Sequence, residues 1–541
     1  MNKKIFVILG LLILISVSLR VYNFRGRGVM NYDESYYLRE AQFIHSVFYN
    51  LPEFIKLIKD KNISVQDLRS KIQGLPPAFT PKPMHSLMLG VFGILFGVHD
   101  YLGIIYSVFF SSLNIILLYF MMKTFEDNLT SIVACVISIY SLFELAYSRT
   151  SYPEISGVTF MLAAVYMLFR ENKLQIFRAK KHILIGIFFA LMTATNYRTL
   201  FIFIFFLCLF FYFKPADIFK RLFFTCSSFV LTLCIFEFPY FIVRIFKPFP
   251  PGFYSYFEML FKWYFKTHNP IGVSYYSKLP IFYPHTAIFN FLINGESIIY
   301  SAAFFVSIIF LLIHCRKKKE QMAIVVLAVL PILLFSLTSR GNRPVTFTST
   351  IPFMSAVIAI GLKNITQKFF TNYEKPYLFT VILIIVFAAP KIYNEITVTS
   401  GYNELSTFLK KNGIYHHFTT NNSHSQFYLG RDAGNYPPIT IQEYDSTEYY
   451  KNINIFAADF FYYTDKFERR EVEDFIVKNG ELLYTINNDW VGNSVTFLDM
   501  YKTFFTQKHI LKEPLLNTIK VYRFNPALFR LYLIKNSQKK N

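Results

Sequence analysis

The sequence predicts a polytopic α-helical membrane protein with about eleven transmembrane helices and a small C-terminal extracytoplasmic α/β domain. Three observations carry that expectation. Hydrophobic residues fill 53% of the 541 positions and charged ones only 16%, against about 25% in a typical soluble domain. Phe occurs 64 times and Tyr 38, more apolar surface than a water-soluble core can hide. Apolar runs recur from the N terminus to about residue 392, after which the chain turns polar.

The runs lie at 4–22, 101–122, 129–147, 155–169, 182–196, 199–213, 222–240, 291–313, 322–338, 345–362 and 376–392. A hydrocarbon core of roughly 30 Å asks for about 20 helical residues, so several are short. The first run follows Lys3-Lys4 and ends in Arg20-Val21-Tyr22 without a small-x-small cleavage site, which reads as an uncleaved helix. A further apolar stretch, 84–97, contains Gly90, Gly93 and Gly97 and reads as a re-entrant or interfacial helix.

With the N terminus inside, the short inner loops are basic, as topology requires: Arg170 to Lys181, Lys214 to Arg221, Arg316-Lys317-Lys318-Lys319, and the loop with Lys363, Lys368 and Lys375. The long outer loops are then 23–100 and 241–290, in a membrane domain spanning 1–392. Residues 393–541 form the outer domain, with helix-like pieces at 403–411 and 468–478 and strand-like ones at 453–463, 481–486, 494–500 and 518–524.

The formal net charge of +21 invites a nucleic-acid partner. The Lys and Arg residues lie mainly between apolar runs, where topology signals belong, and nucleic acid is excluded on that ground. The five cysteines sit within or just after apolar runs, fit no zinc spacing and form no disulfide framework. No P-loop or GxGxxG occurs, so no nucleotide site is expected, and no HExxH or EF-hand loop is present.

Chemistry concentrates at the outer face. Asp33-Glu34 lies in Asn31-Tyr32-Asp33-Glu34-Ser35-Tyr36-Tyr37, just beyond the first helix, and an amphipathic stretch over 38–60 would hold it against the bilayer. A carboxylate kept there can act as a general base, although two adjacent acids can also be plainly solvated. Lys82, Arg149, Arg198, Arg340 and Arg343 fall at the same face, against the positive-inside bias, which points to an anionic partner. Arg suits phosphate because its planar fork donates two parallel hydrogen bonds. The bland alternative is snorkelling at helix ends. Glu154 stands at the outer start of the fourth span, placed to pair with Arg149 or to touch a substrate hydroxyl. His85 lies near Lys82 and Tyr36 beside the acids, where both can line a site. Glu144 and Glu237 lie inside apolar runs and read as packing partners. His416, His417 and His424 read as surface residues of the outer domain.

These features in this order resemble the GT-C superfamily of membrane glycosyltransferases, and most of all the protein O-mannosyltransferases and the transferases that add aminoarabinose to lipid A. The resemblance runs along 1–365: Asp33-Glu34 after the first helix, Lys82-Pro83 before a short apolar helix, Leu95 to Asp100, a long span ending near Met122-Lys123, Ser148-Arg149 with Glu154, then Arg343-Pro344 with Pro352 beyond. Two departures stand out: Met84 follows Lys82-Pro83 where the family often has a second proline, and Glu154 replaces the more usual Asp. The tryptophan-rich signature of oligosaccharyltransferase catalytic subunits is absent, which sets that branch aside.

The resemblance implies a polyprenyl-phosphate monosaccharide donor delivered through the membrane lipid, and an acceptor hydroxyl on a protein, lipid or glycan. It implies Asp33 as base, Glu34 as its orienting partner, and Lys82, Arg149, Arg198 and Arg343 on the donor phosphate, with Glu154, His85, Tyr36 and Arg340 around the substrates. A divalent metal is compatible with this chemistry, though no motif calls for one, and no cofactor is implied. The site would face outward from a multi-pass membrane protein, in a bacterial plasma membrane rather than the endoplasmic reticulum. The rival class is a lipid-linked saccharide flippase or polymerase-like protein, which would line a path with charges midway along several spans.

Overall fold

A backbone surrounded by lipid or apolar side chains must satisfy its own hydrogen bonds, and a helix does so within one segment. The computed structural model describes residues 3–59, 73–75, 82–174, 177–213, 217–246, 255–261, 295–316, 318–338, 348–430, 433–459, 469–496 and 517–540, with positions 215 and 292 besides. The chain opens with α1 (Lys3–Val21), α2 (Phe24–Arg27), α3 (Tyr32–Tyr49) and α4 (Leu51–Lys59). Then come α5 (Pro83–Phe96), α6 (Leu102–Lys123), α7 (Asn128–Ile139), α8 (Leu142–Tyr147), α9 (Glu154–Leu174) and α10 (Ala179–Thr195). The helical part closes with α11 (Leu200–Phe213), α12 (Ile218–Phe246), α13 (Tyr256–Phe261), α14 (Ile298–His314), α15 (Lys319–Thr338), α16 (Ile351–Phe369) and α17 (Glu374–Thr397).

Each of the eleven apolar runs contains helix, and 129–147 holds two, α7 and α8. Among the described residues, five helices are long and apolar enough to cross a membrane: Lys3–Arg27, Leu102–Lys123, Ile218–Phe238, Thr348–Phe369 and Glu374–Lys411. The others pack among them, with α10 held between α9 and α12, and α16 against α7 and α14. The described part of the expected outer loop 23–100 is largely helical, as α2 to α5. Most of the second expected loop, 241–290, lies outside the described residues, apart from the end of α12 and α13.

Helix starts carry the residues that cap them. Asp127 accepts the Thr130 N–H at 2.8 Å before α7, and the Ser297 hydroxyl accepts the Tyr300 N–H at 3.1 Å before α14. α8 is capped twice: Ser141 Oγ accepts the Glu144 N–H at 3.3 Å, while the buried Glu296 carboxylate accepts Leu142 N–H at 2.9 Å and Phe143 N–H at 3.1 Å.

After α17 the chain continues with α18 (Tyr402–Lys411), β1 (His417–Thr419), α19 (Asn422–Leu429), β2 (Gly434–Asn435), α20 (Ile441–Asp445) and β3 (Ile455–Ala458). α21 (Arg470–Asn479), β4 (Glu481–Asn487), α22 (Trp490–Asn493), β5 (Thr518–Arg523) and α23 (Pro526–Lys540) follow. The five strands form one sheet in the order β2-β1-β3-β5-β4, with β1 parallel to β2 and β3, and β5 antiparallel to β3 and β4. Both faces are covered. Phe456 and Ala458 point into a cluster with Phe418, Phe524 and Phe529, while Ile455 and Ala457 face Leu405, Leu409 and Val521.

Two expectations need correction here. His417 and His424 are buried, and only His416 is exposed. His417 lies on β1, and His424 lies on α19 with its ring stacked on Tyr402 at 3.8 Å. Position within a polar stretch hid them, because the covering elements come from elsewhere in the chain. Of the strand expected at 494–500, the described residues 494–496 are not strand. Ser494 and Val495 instead bind the Glu395 carboxylate, the Val495 N–H at 2.9 Å.

Burial pushes His424 down to about 3 and His417 to about 4 from an ordinary 6.5, so both fold neutral. The unfolded chain binds the extra protons below about pH 6.5, so stability falls as the pH drops from there toward 4. His424→Phe, which keeps the stack on Tyr402, is expected to flatten that dependence, read as the thermal midpoint at pH 7 and pH 5. An unchanged difference between the two midpoints would remove His424 from the effect.

Candidate functional site

The site is built on the first turn of α3. Asn31, with extended backbone, accepts the Asp33 N–H on its side-chain oxygen at 3.2 Å and starts the helix. Asp33 and Glu34 thus stand at the positive end of the helix dipole. Their fates differ. Glu34 is fully buried: Oε1 accepts Arg27 Nη1–H at 3.2 Å and Ser151 N–H at 3.3 Å, and Oε2 accepts Met30 N–H at 3.0 Å. Its carbonyl also accepts the Ser151 hydroxyl at 3.0 Å. This is a capping box reaching one residue further back, and it locks α3 to the turn after α8. Asp33 remains partly exposed.

Helical spacing puts Tyr36, Tyr37 and Glu40 on the face that carries Asp33. Lys82 meets that face. Its ammonium lies over the Tyr37 ring, 4.7 Å from the centroid, and donates to the Tyr37 hydroxyl. Lys82 is also the residue before α5, whose first position is Pro83, a residue that has no N–H to satisfy there. One turn on, the Ser86 hydroxyl donates to Glu40 Oε2 at 2.5 Å. Gly90 completes the contact: a Cβ there would stand 2.6 Å from the Ile44 side chain, so α5 approaches α3 this closely only through glycine.

His85 lies edge-on to Tyr37 with ring centroids 4.9 Å apart, and its Nδ1 is 3.1 Å from the Tyr106 hydroxyl. Tyr106 donates its proton to Ser156 Oγ at 2.6 Å, so His85 must donate from Nδ1. Tyr36 is half-buried and packs edge-on to Tyr37; burial, then the nearby Glu40 carboxylate, raises its phenol and keeps it protonated. Glu154 is buried at the start of α9 and accepts the Asn196 amide at 3.2 Å.

The arginines divide. Arg149 is fully buried, and its Nη1 donates to the carbonyls of Leu19, Arg20 and Tyr22 at 3.2, 2.9 and 2.9 Å, while Nη2 donates to Ile396 O at 3.0 Å. Its guanidinium therefore closes the C-terminal ends of α1 and α17. Arg198 falls in the short helical turn Tyr197–Thr199, and its side chain lies outside the described residues. Arg340 and Arg343 also lie outside them.

Sequence reasoning passed over Tyr37, Glu40, Arg27 and Ser151. The first two sit four and seven residues after Asp33, a spacing that identifies them once 32–49 is read as a helix. The polar C-terminal part reaches the site as well. The Ser35 and Ser423 hydroxyls are 2.7 Å apart, and the Gln42 amide donates to Phe427 O at 3.3 Å. The Tyr428 hydroxyl accepts Val29 N–H at 3.0 Å and donates to Asp100 at 3.1 Å, opposing the rise that burial causes in that carboxyl. Among the described residues, no group of three or more His, Cys, Asp or Glu is arranged to hold a metal ion.

Residues 78–240 match the family described as dolichyl-phosphate-mannose-protein mannosyltransferase, a stretch that includes Lys82, His85, Arg149, Glu154 and Arg198 and begins after Asp33. No curated protein matches the chain. Among solved structures, apo ArnT from Cupriavidus metallidurans superposes with a TM-score of 0.53 at 10% identity, over 96% of this chain and 98% of that one. The Archaeoglobus fulgidus oligosaccharyltransferase with zinc and sulfate gives 0.54 at 14% identity, over 87% and 69%. The archaeal oligosaccharyltransferase AglB, in complex with an inhibitory peptide and a dolichol-phosphate, gives 0.51 at 12% identity, over 85% and 69%. The resemblance to GT-C membrane glycosyltransferases holds, and the fold is theirs. The oligosaccharyltransferase branch, set aside for want of its tryptophan signature, shares that fold.

Glu34→Ala leaves the buried Arg27 guanidinium without its carboxylate and is expected to cost about 3–5 kcal/mol, read as a lowered melting temperature of the purified protein in detergent. Arg149→Ala is expected to act alike by uncovering four carbonyls. A wild-type melting temperature in either variant would show that these groups do not hold the helix ends.

Proposed function

We propose that this chain is an inverting glycosyltransferase that moves a monosaccharide from a polyprenyl-phosphate donor to an acceptor hydroxyl on the extracytoplasmic face. The observation that carries the reading is the pairing of opposites on one face of α3: a partly exposed carboxylate at Asp33 and, one helical turn on, the Lys82 ammonium over Tyr37. The match of 78–240 to a mannosyltransferase family and the GT-C fold support it. The lipid phosphate bound by AglB supports the class of donor.

In this mechanism Asp33 removes the proton from the acceptor hydroxyl as its oxygen attacks the anomeric carbon. The bond to the phosphate oxygen breaks on the opposite face, and the configuration inverts in one step. A positioned base of this kind contributes about 10²–10⁴-fold. Glu34 positions Asp33 by fixing the first turn of α3. Lys82 stabilises the charge that grows on the departing phosphate, where a preorganised cation shielded from water is most effective. Arg198, Arg340 and Arg343 are assigned to the same phosphate, and Arg149 to holding the helix ends that frame it. His85, Tyr36 and Glu154 line the substrate side. Residues 1–392 would form the catalytic membrane domain and 393–541 an outer α/β domain seated on it.

Asp33→Asn is expected to lower transfer from a labelled polyprenyl-phosphate sugar at least a hundredfold while insertion and melting temperature stay as in wild type. Turnover at the wild-type rate would end the base assignment. Lys82→Ala is expected to weaken donor binding, and Lys82→Arg to restore part of it. Equal donor affinity in all three proteins would take Lys82 out of the phosphate site.

A further inference from the structure

The sheet beyond α17 has a polarity with a consequence for the site. β2 and β3 both run parallel to β1 and lie on its two sides, so the chain leaves β1 in one direction and returns on the other. At such a reversal open α/β sheets bind ligands, in a crevice outside the carboxyl ends of the strands. Three strand ends supply its residues: Thr420 and Asn421 after β1, Tyr436 after β2, and Asp459 after β3.

A hydrogen-bond chain runs through the crevice. The Tyr402 hydroxyl donates to Asp459 Oδ2, and the Thr420 hydroxyl donates to Asp459 Oδ1 at 2.7 Å. Tyr402 has one proton and gives it to Asp459, so toward Asn421 it can only accept, and Asn421 Nδ2–H donates to it at 3.2 Å. This order fixes the amide and leaves Asn421 Oδ1 as the remaining group. Asn421 is 2% exposed, and its Oδ1 has no hydrogen-bond partner among the described residues. A buried acceptor without a donor is costly, and a ligand hydroxyl would offset that cost. At the end of the neighbouring strand β2 the Arg469 guanidinium lies 4.6 Å from the centroid of the Tyr436 ring, making a half-buried flat surface of the kind that packs against a sugar ring.

The crevice and Asp33 lie on the same side of the molecule. α19 leaves the carboxyl end of β1 and runs beside α3, with Ser423 at Ser35 and Phe427 at Gln42. Both helices therefore start at the same end, and Asp33 lies in the first turn of α3. Burial raises the Tyr436 phenol, and Tyr32 and Asp459 lie near enough to add to that rise, which sets α3 and the strand ends in one neighbourhood.

We propose that this crevice, with Asn421 Oδ1 as its hydroxyl-binding acceptor and the Tyr436–Arg469 pair as its stacking surface, binds a saccharide unit of the acceptor and presents it to Asp33. The inference rests on the glycosyl-transfer reading and gives its acceptor a chemical class.

The test is saturation-transfer NMR on the purified full chain in detergent, without donor, using methyl glycosides of mannose, glucose, galactose and N-acetylglucosamine and a Ser/Thr peptide. Saturation of at least one glycoside is expected, reduced at least fivefold in Asn421→Leu and Arg469→Ala. Asn421→Asp, which keeps an acceptor oxygen, should retain it. Asp33→Asn and Lys82→Ala should also retain it, which separates this crevice from a donor-sugar site. Melting temperatures report folding, and Arg469→Ala reads the crevice even if Asn421→Leu does not fold. Saturation of no glycoside, of the peptide instead, or at full strength in both Asn421→Leu and Arg469→Ala overturns the proposal. Because no turnover is measured, its failure is distinct from failure of Asp33 as base.

Discussion

Helix ends buried away from water impose the constraint on which this structure depends. Each end leaves backbone groups without intrahelical partners, and in apolar surroundings each must find one. Here charged side chains from distant parts of the chain supply them. Arg149 closes α1 and α17, Glu296 caps α8, Glu34 ties the start of α3 to residue 151, and Glu395 receives Val495 N–H. Each contact joins segments separated by about a hundred residues or more along the chain. A buried ion of this sort is costly in isolation and acceptable only because several hydrogen bonds reach it at once.

The location of Asp33 follows from that arrangement. Its neighbour Glu34 is the group through which α2, α3 and the turn before α9 are joined, so Asp33 is held on a fixed first turn. Adjacent acids in a helix point about 100° apart, which explains how one can be spent on structure while the other faces the site. Residues on the Asp33 face then recur at the helical period and meet α5, whose Gly90 lets the two helices approach closely.

Much of this was legible in the sequence, and the rest was hidden for identifiable reasons. Apolar runs marked most of the long helices up to α17, because apolar side chains on every face leave a continuous signal, whereas α3 lay in none of them. Asp33-Glu34 and Lys82 stood out as charges at helix boundaries, and the structure brings Lys82 to the α3 face of Asp33 through Tyr37. The partners of Arg149 are carbonyls, which leave no trace in residue types, so a guanidinium suited to phosphate reads the same as one suited to helix ends. β1 and β2 have three and two residues, too few for an alternating pattern to emerge. His417 and His424 sit in a polar stretch and are buried only by tertiary contacts.

The distribution of charge also bears on a transport reading. A conducting or flipping path needs polar groups spaced along the bundle interior. Among the described residues two groups of charged side chains stand out in the bundle. One holds Arg20, Glu144, Arg149, Glu34 and Glu296, near the ends of α1 and α8. The other lies at the opposite end of α6, where Lys363 pairs with Glu126 at 2.7 Å and Asp127 at 2.6 Å. α6 itself joins the two groups and buries small hydroxyls and one amide along its length: Ser107, Ser111 and Asn114. The first donates to Thr150 O at 2.6 Å, the second to Glu144 at 3.0 Å and the third to Ile155 O at 3.1 Å. Those groups are consumed in holding α6 to its neighbours. Of these contacts only that of Ser111 reaches a charge, Glu144, and this carboxylate lies 3.9 Å from the Arg20 guanidinium, so the polar groups along α6 are paired within the bundle.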